Sequence, residues 1–243
     1  MIKRNKQIVF TATANPKDHS TLPPVPAISM IPEWYKKLSR FYHSNKMKDL
    51  HPINDRGTDG SASSTKLCMP FFDAMTSGYF YVLTDDLHIS EDTEGFPTLS
   101  WDNDVMICDK RPMIDVAVPF QHHPVHFGFK MHWYYETPKD YSVLITHPFN
   151  RHDLPFTVLS GIVDSDVWGL PVFISFFVKR GFTGTIPKGT PLFQIVPIKR
   201  DSWEMKIESS EEKIWENKIK EEKRRSKIFS YYKGYAWQRK VYK

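Results

Sequence analysis

Apolar side chains recur at every second position through the middle of this chain, the period of a half-buried strand. Phe127, Phe129, Met131 and Trp133 alternate with smaller or polar neighbours. Residues 78–83 and 172–178 are dense in aromatic and β-branched side chains, and the latter run is the strongest strand signal in the chain. Shorter strands are expected at 7–10, 99–101, 104–108, 141–145 and 192–196. Turn chemistry separates them: Thr-Pro-Lys-Asp at 137–140, Gly181 to Gly184, and Pro-Lys-Gly-Thr at 187–190.

The flanks read differently. Residues 15–32 are proline-rich, so they are expected to run extended over the body without regular structure. A short helix is expected at 31–38, with Pro32 in its first turn, Glu33 facing the N-terminal dipole, and Trp34, Tyr35 and Leu38 as its apolar face. Residues 54–65 have the Gly, Ser, Asp and Thr content of a mobile loop. From Ser202 onward Glu and Lys become dense, with Ile207, Ile214, Trp215, Ile219 and Ile228 among them. That pattern predicts a helix over 209–229 with one apolar stripe and helical ion pairs. The resulting division is an arm, short helix and loop at 1–65, a β body at 66–201, and a helix with a tail at 202–243.

Composition agrees with a mainly β fold. Aromatics reach 14% and prolines outnumber glycines 18 to 11, a mixture suited to strands joined by rigid loops. At 40% hydrophobic and 25% charged residues, the chain can bury a core. No run reaches the length of a membrane span, and the basic start lacks the apolar core of a signal peptide. Cys68 and Cys108 have no metal-type spacing and are expected to be buried, reduced thiols. The net charge of +5 is uneven: residues 223–243 hold eight Lys or Arg and no acid, which leaves the rest at −3. A basic tail suits nucleic acid, an anionic surface or an acidic neighbouring subunit.

Residues 161–169 read Gly-Ile-Val-Asp-Ser-Asp-Val-Trp-Gly. This resembles the central motif of the dUTPase family, a Gly-apolar-apolar-Asp-x-Asp-Tyr-x-Gly hairpin. Residues 186–195, Ile-Pro-Lys-Gly-Thr-Pro-Leu-Phe-Gln-Ile, are similar to the family's next motif, a Pro-Gly-x-x-Ile-Ala-Gln-apolar strand. The turn at 137–142 also matches, and Ser77-Gly78-Tyr79 weakly echoes the first motif. The resemblance covers about residues 137–200 and implies a β-clip body. It implies that Asp164 is the general base that orients a water, with Asp166 supporting the turn and Gly169 closing it. Gln194 matches the residue that helps hold the phosphates. Asp166 and Gln194 are thus the implied nucleotide-binding residues, with Mg as the implied cofactor of such an enzyme.

The departures from the family are large. Val167 replaces the aromatic that packs under the deoxyribose, and strand alternation would send Trp168 to the opposite face. Where the family has a Pro-Arg-Ser-Gly phosphate loop, residues 146–151 read Thr-His-Pro-Phe-Asn-Arg. The first motif's Asp and the C-terminal glycine-rich arm are missing. Phosphoryl chemistry relies on positioning and charge stabilisation by such groups. The expectation is therefore a non-catalytic relative without a cofactor, in which Asp164 is a turn residue. The alternatives are a divergent nucleotide hydrolase or deaminase using Asp164, and a nucleotide- or nucleic-acid-binding regulator.

Ile-Pro-Glu-Trp-Tyr at 31–35, Cys-Met-Pro-Phe-Phe-Asp-Ala-Met-Thr-Ser-Gly-Tyr at 68–79 and Gly-Ile-Val-Asp at 161–164 together resemble an uncharacterised family common in tailed-phage genomes. With that resemblance, the expectation becomes a homotrimeric virion or assembly component in the host cytoplasm or the virion, not secreted and not membrane-bound. Tyr231, Tyr232, Tyr235, Trp237 and Arg239 interleave aromatics and cations, as protein interfaces and base-stacking surfaces both do. They are the expected partner-binding residues. His122, His123 and His126 form a weak metal candidate without an acid at a recognised spacing; the alternative is polar histidines near a surface or subunit interface.

Overall fold

The computed structural model of the protein describes residues 6–13, 21–42, 62–111, 116–225 and 232–243. The described chain is mainly β. Its strands are β1 (Val9–Ala12), β2 (Val25–Pro26), β3 (Phe41–Tyr42), β4 (Ala62–Ser63), β5 (Tyr79–Val82), β6 (Leu87–Glu91), β7 (Pro97–Ser100) and β8 (Cys108–Lys110). They continue with β9 (His122–Lys130), β10 (Trp133–Glu136), β11 (Tyr141–Thr146), β12 (Phe156–Val158), β13 (Gly161–Val163), β14 (Phe173–Lys179), β15 (Gly184–Ile186) and β16 (Pro191–Lys199). The α-helices are α1 (Glu33–Lys37), α2 (Met69–Thr76) and α3 (Glu211–Arg225). Two compact units form: Met1–Met30, Thr76–Arg200 and Tyr242–Lys243 make the first, and Ile31–Met75 with Asp201–Val241 the second.

In the first unit every strand pair is antiparallel. The largest sheet has the order β13-β11-β16-β5-β2, a second runs β12-β14-β9-β8, and β15-β6-β7 and β1-β10 form smaller ones. The core lies between the inward faces. Phe129 stacks on Phe176 at 3.7 Å between ring centroids, and Phe156 meets both rings edge-on. Tyr81 stacks on Phe193 at 4.8 Å. The edge-on contacts of Phe156 and the wider stack of Tyr81 on Phe193 add to their area burial through favourable quadrupole geometry. Gly78 fits where no other residue would: its φ is +65°, and a Cβ would stand 2.0 Å from the Ile195 carbonyl oxygen.

Some expected elements change. The proline-rich stretch does contribute a strand, because Val25 and Pro26 pair with Phe80 and Tyr79 at the sheet edge, where a residue lacking an N–H is tolerated. Residues 104–107 are not a strand. Asn103 accepts the Val105 amide through its side chain at 2.8 Å, a local turn that competes with sheet pairing. The alternation from Phe127 to Trp133 is broken between β9 and β10. There the His132 amide donates to the Tyr81 hydroxyl, and its carbonyl accepts the Thr13 amide. Cys108 is buried as expected, but Cys68 is exposed.

In the second unit Tyr35 is the buried residue of α1, set against Phe71 and Phe72. Pro32 precedes α1 as its N-cap rather than sitting inside the first turn. The Lys66 ammonium donates to the Lys36 and Leu38 carbonyls, satisfying the open C-terminus of that helix. Most of the expected loop at 54–65 lies outside the described residues; its end forms β4, which pairs with β3. The expected helix at 209–229 is α3, capped by Ser210, which accepts the Lys213 amide at 3.3 Å. Residues 226–229 lie outside the described residues. No helix among the described residues is long and apolar enough to cross a membrane.

Candidate functional site: the Asp164 hairpin

The hairpin forms because β11 and β13 pair in register, with Val143 opposite Val163. The chain then closes on itself. Val167 and Trp168 both donate their amides to the Asp164 carbonyl, at 3.1 and 2.9 Å. Residues 164–168 are therefore a turn, so strand alternation does not govern Trp168, and both Val167 and Trp168 project into solvent. Ser165 is the buried member of the turn. Its hydroxyl lies 2.6 Å from the Thr137 hydroxyl, and its carbonyl accepts the Thr137 amide.

Both carboxylates of the motif are engaged. Asp164 Oδ1 accepts the Ser142 hydroxyl at 2.7 Å and Arg200 Nη1 at 3.3 Å. Asp166 accepts Arg200 on both oxygens, with Nη1 at 2.7 Å, and accepts the Asp140 amide at 2.9 Å. Arg200 is held in turn by its own amide, which donates to the Asp140 carbonyl at 2.9 Å. The Arg200 hydrogen bonds hold the Asp166 carboxyl down at about 2, and Asp166 raises the guanidinium in return. The Asp166 side chain is only 5% exposed, against 60% for Asp164. The arrangement clamps a turn, and Asp164 keeps the solvent access a base would need.

Gln194 lies on β16 opposite Thr146 and is 0% exposed. Its Oε1 accepts the Phe149 amide at 3.0 Å, and its Nε2 donates to the Ser77 carbonyl at 2.5 Å. Both ends of the amide join pieces of this chain. The loop at 146–151 is also self-contained: Asn150 sits at φ 61°, and the Arg151 amide donates to Pro148. The Arg151 guanidinium forks onto Asp153, and its carbonyl meets His147 Nε2 at 3.1 Å.

The three histidines do not converge. They lie on β9 and are buried within this chain rather than open at its surface, where the expectation was a place near a surface or subunit interface. Alternation puts His122 and His126 on one face and His123 on the other. His122 Nδ1 contacts the Phe120 carbonyl at 2.8 Å, His123 Nε2 stands 3.5 Å from Glu91, and the His126 ring tilts on Phe177. Among the described residues no group of three or more His, Cys, Asp or Glu is arranged to hold a metal.

The tail residues are partly seated on this chain. Within the second unit Trp237 Nε1 donates to Asp73 at 2.9 Å, and the Lys240 ammonium donates to the same carboxylate at 2.6 Å. Tyr232 and Arg239 are exposed; Tyr231 and the Tyr235 side chain lie outside what is described. Arg200, Ser142 and Asp73 carry these contacts; Ser142 and Asp73 fall inside the matched segments at 137–142 and 68–79 without being singled out by them, and Arg200 lies in none. No motif points to His88, which lies 2.9 Å from the Thr185 hydroxyl and 3.7 Å from Asp102. That order resembles a nucleophile, base and orienter, but Asp102 is open to water at an ion-pair distance, where coupling is weak.

Compared with known proteins, the chain matches no family model and no curated protein.

Proposed function

We propose that this chain is a non-catalytic, dUTPase-like β-clip protein that serves as a trimeric structural or assembly component of a tailed phage. What supports this is the state of the hairpin: among the described residues the cation paired with Asp164 and Asp166 is Arg200, which belongs to the turn itself. A triphosphate needs cationic groups and free backbone amides pointed at it. Here Arg151 is neutralised by Asp153, and the Phe149 amide is taken by Gln194. The motif is kept as a clasp joining the ends of β11, β13 and β16.

The second reading, a divergent nucleotide hydrolase or deaminase, is favoured by the exposure of Asp164 alone. One experiment separates the two. Purified protein is incubated with each deoxynucleoside triphosphate and magnesium, and pyrophosphate and ammonia are measured beside an Asp164→Asn variant. No release, with a sedimentation mass of three chains, is the expected result. Release that Asp164→Asn abolishes overturns it in favour of the enzyme.

A further inference from the structure

One carboxylate on α2 collects two donors from the tail. Asp73 Oδ2 accepts Trp237 Nε1 at 2.9 Å and the Lys240 ammonium at 2.6 Å. The Asp73 side chain is 13% exposed, and that of Lys240 is 41% exposed. An indole N–H and an ammonium that converge on one anionic oxygen form a receptor for such an oxygen. A phosphodiester presents oxygens of the same kind, and side-chain donors of this type are what nucleic-acid backbones are held by. The lysine half of the contact is an ion pair open to water, which is weak and exchanges readily.

The residues around those two donors carry more of the same chemistry. Tyr232, Lys233, Arg239, Lys240 and Lys243 are exposed, and Trp237 and Tyr242 are half-buried. Residues 223–243 contain no acid, so charge commits the segment to an anionic partner. Composition then separates the partners of that charge. A membrane-surface segment needs an apolar face, and 230–243 contain no Leu, Ile, Met or Phe. The core of a protein interface is enriched in Arg and depleted in Lys, whereas three of the four cations in 232–243 are lysines. A single strand of nucleic acid uses both things the segment offers: point charges for its phosphates and aromatic faces for its bases. Tyr232, Tyr235, Trp237 and Tyr242 are interleaved with those cations. A duplex keeps its base faces inside the stack, out of reach of such rings.

We propose that residues 232–243 bind single-stranded nucleic acid, and that Asp73 masks them by holding Trp237 and Lys240 where a phosphate oxygen would. The strand displaces the carboxylate and takes both donors. The affinity observed is lowered by the fraction of chains in which this latch is shut. The site belongs to one chain and does not depend on the association of the bodies.

The test is fluorescence anisotropy of a labelled oligo-dT strand of about 20 nucleotides, long enough for a site of the usual ~4–16. It is titrated with the full chain between about 50 and 200 mM salt. Four phosphate contacts on a single strand give a slope of log affinity against log salt of about −3 or steeper. Lys233→Gln with Arg239→Gln, two exposed positions, is expected to weaken binding about tenfold and to flatten that slope by about 1. Asp73→Asn keeps the shape and drops the charge, and is expected to tighten binding about five- to tenfold. Lys240→Gln is expected to cost little in the wild type, where it removes the latch together with the contact, and about tenfold in the Asp73→Asn background. Circular dichroism with the melting temperature monitors the fold, and Asp73→Ser serves if Asp73→Asn does not fold. A wild type and an Asp73→Asn variant that both leave the strand free at about 50 mM salt overturn the proposal. Binding indifferent to Lys233→Gln with Arg239→Gln overturns the segment as the site, and equal affinity for a duplex of the same length overturns stacking on free bases. Vesicles of phosphatidylserine and phosphatidylcholine, or a poly-glutamate peptide, bound as tightly as the strand overturn nucleic acid as the partner. Equal affinities of the wild type and Asp73→Asn overturn the latch.

Discussion

Arg200 grips Asp166 with both terminal nitrogens while its own main chain is tied to Asp140, so one residue at the end of β16 locks the turn that follows β13. The bidentate fork is the strong form of a carboxylate contact, and here the carboxylate is shielded from water. A folded-state value of about 2 against the ordinary 3.8 means the unfolded chain takes up a proton first. The clamp's contribution is therefore whole above about pH 4 and drains away as pH falls through about 2. Asp166→Asn is expected to lower the melting temperature at pH 7 and to flatten the acid limb. Urea unfolding of both proteins from pH 6 to pH 2 checks this; a stability difference that does not shrink toward pH 2 would sink it.

Gln194 holds two backbone groups of this chain. Gln194→Leu keeps the volume but removes the side chain that bonds the Phe149 amide and the Ser77 carbonyl, where an unsatisfied buried group costs about 1–3 kcal/mol. A loss of about 2–4 kcal/mol is expected in equilibrium unfolding. A variant as stable as the wild type would show that the two backbone groups do not depend on it.

Much of the sheet is legible in the sequence because the strand signal is local. Aromatic and β-branched density locates β5 and β14, and turn chemistry at 137–140 and 187–190 locates the starts of β11 and β16. The failures come from interactions that the strand signal does not carry. Val25 and Pro26 become a strand because the edge of β5 accepts a proline, and Asp104 to Ile107 lose theirs to a side-chain turn at Asn103. The burial of the β9 histidines depends on residues far away in sequence, such as Phe177 against His126 and Glu91 beside His123, which the strand's own polar residues do not suggest.

The candidate site shows the same limit. Asp164 and Asp166 are visible as a motif, but what they do depends on Arg200. The sequence distance from Asp166 to Arg200 is closed by the β11–β16 register, which sets Tyr141 against Lys199 and so carries Arg200 to the turn. The exposed apolar residues of α3 read as a stripe from periodicity alone; that the stripe faces solvent is seen only in the fold.

The two cysteines should separate cleanly by reactivity. Burial, reinforced by Asp109, pushes the Cys108 thiol up to about 12, so it holds almost no thiolate at neutral pH. Cys68 is exposed. Titration of the native protein with a disulfide reagent at pH 8 should modify one thiol per chain promptly and the second only in denaturant. Cys68→Ala should remove the prompt reaction; prompt labelling that survives the change would place Cys108 at the surface.

Buried His126 and half-buried His147 make stability depend on pH near neutrality. Burial lowers His147 and His126 below the ordinary value of 6.5, with the Arg111 charge adding to the effect at His126. His147 Nε2 donates to the Arg151 carbonyl, while Nδ1 is buried without a partner, as is Nε2 of His126. A proton on either ring would therefore enter a place with nothing to receive it. The unfolded chain binds that proton near pH 6.5 and the folded chain does not, so stability is present above 6.5 and falls as pH drops from there toward the lowered folded values. His126→Phe keeps a ring against Phe177 and removes one titrating group. Unfolding midpoints measured between pH 8 and pH 5 should decline for the wild type and decline less steeply for His126→Phe. Equal slopes for the two proteins would mean that His126 takes up its proton as readily in the folded state as in the unfolded one.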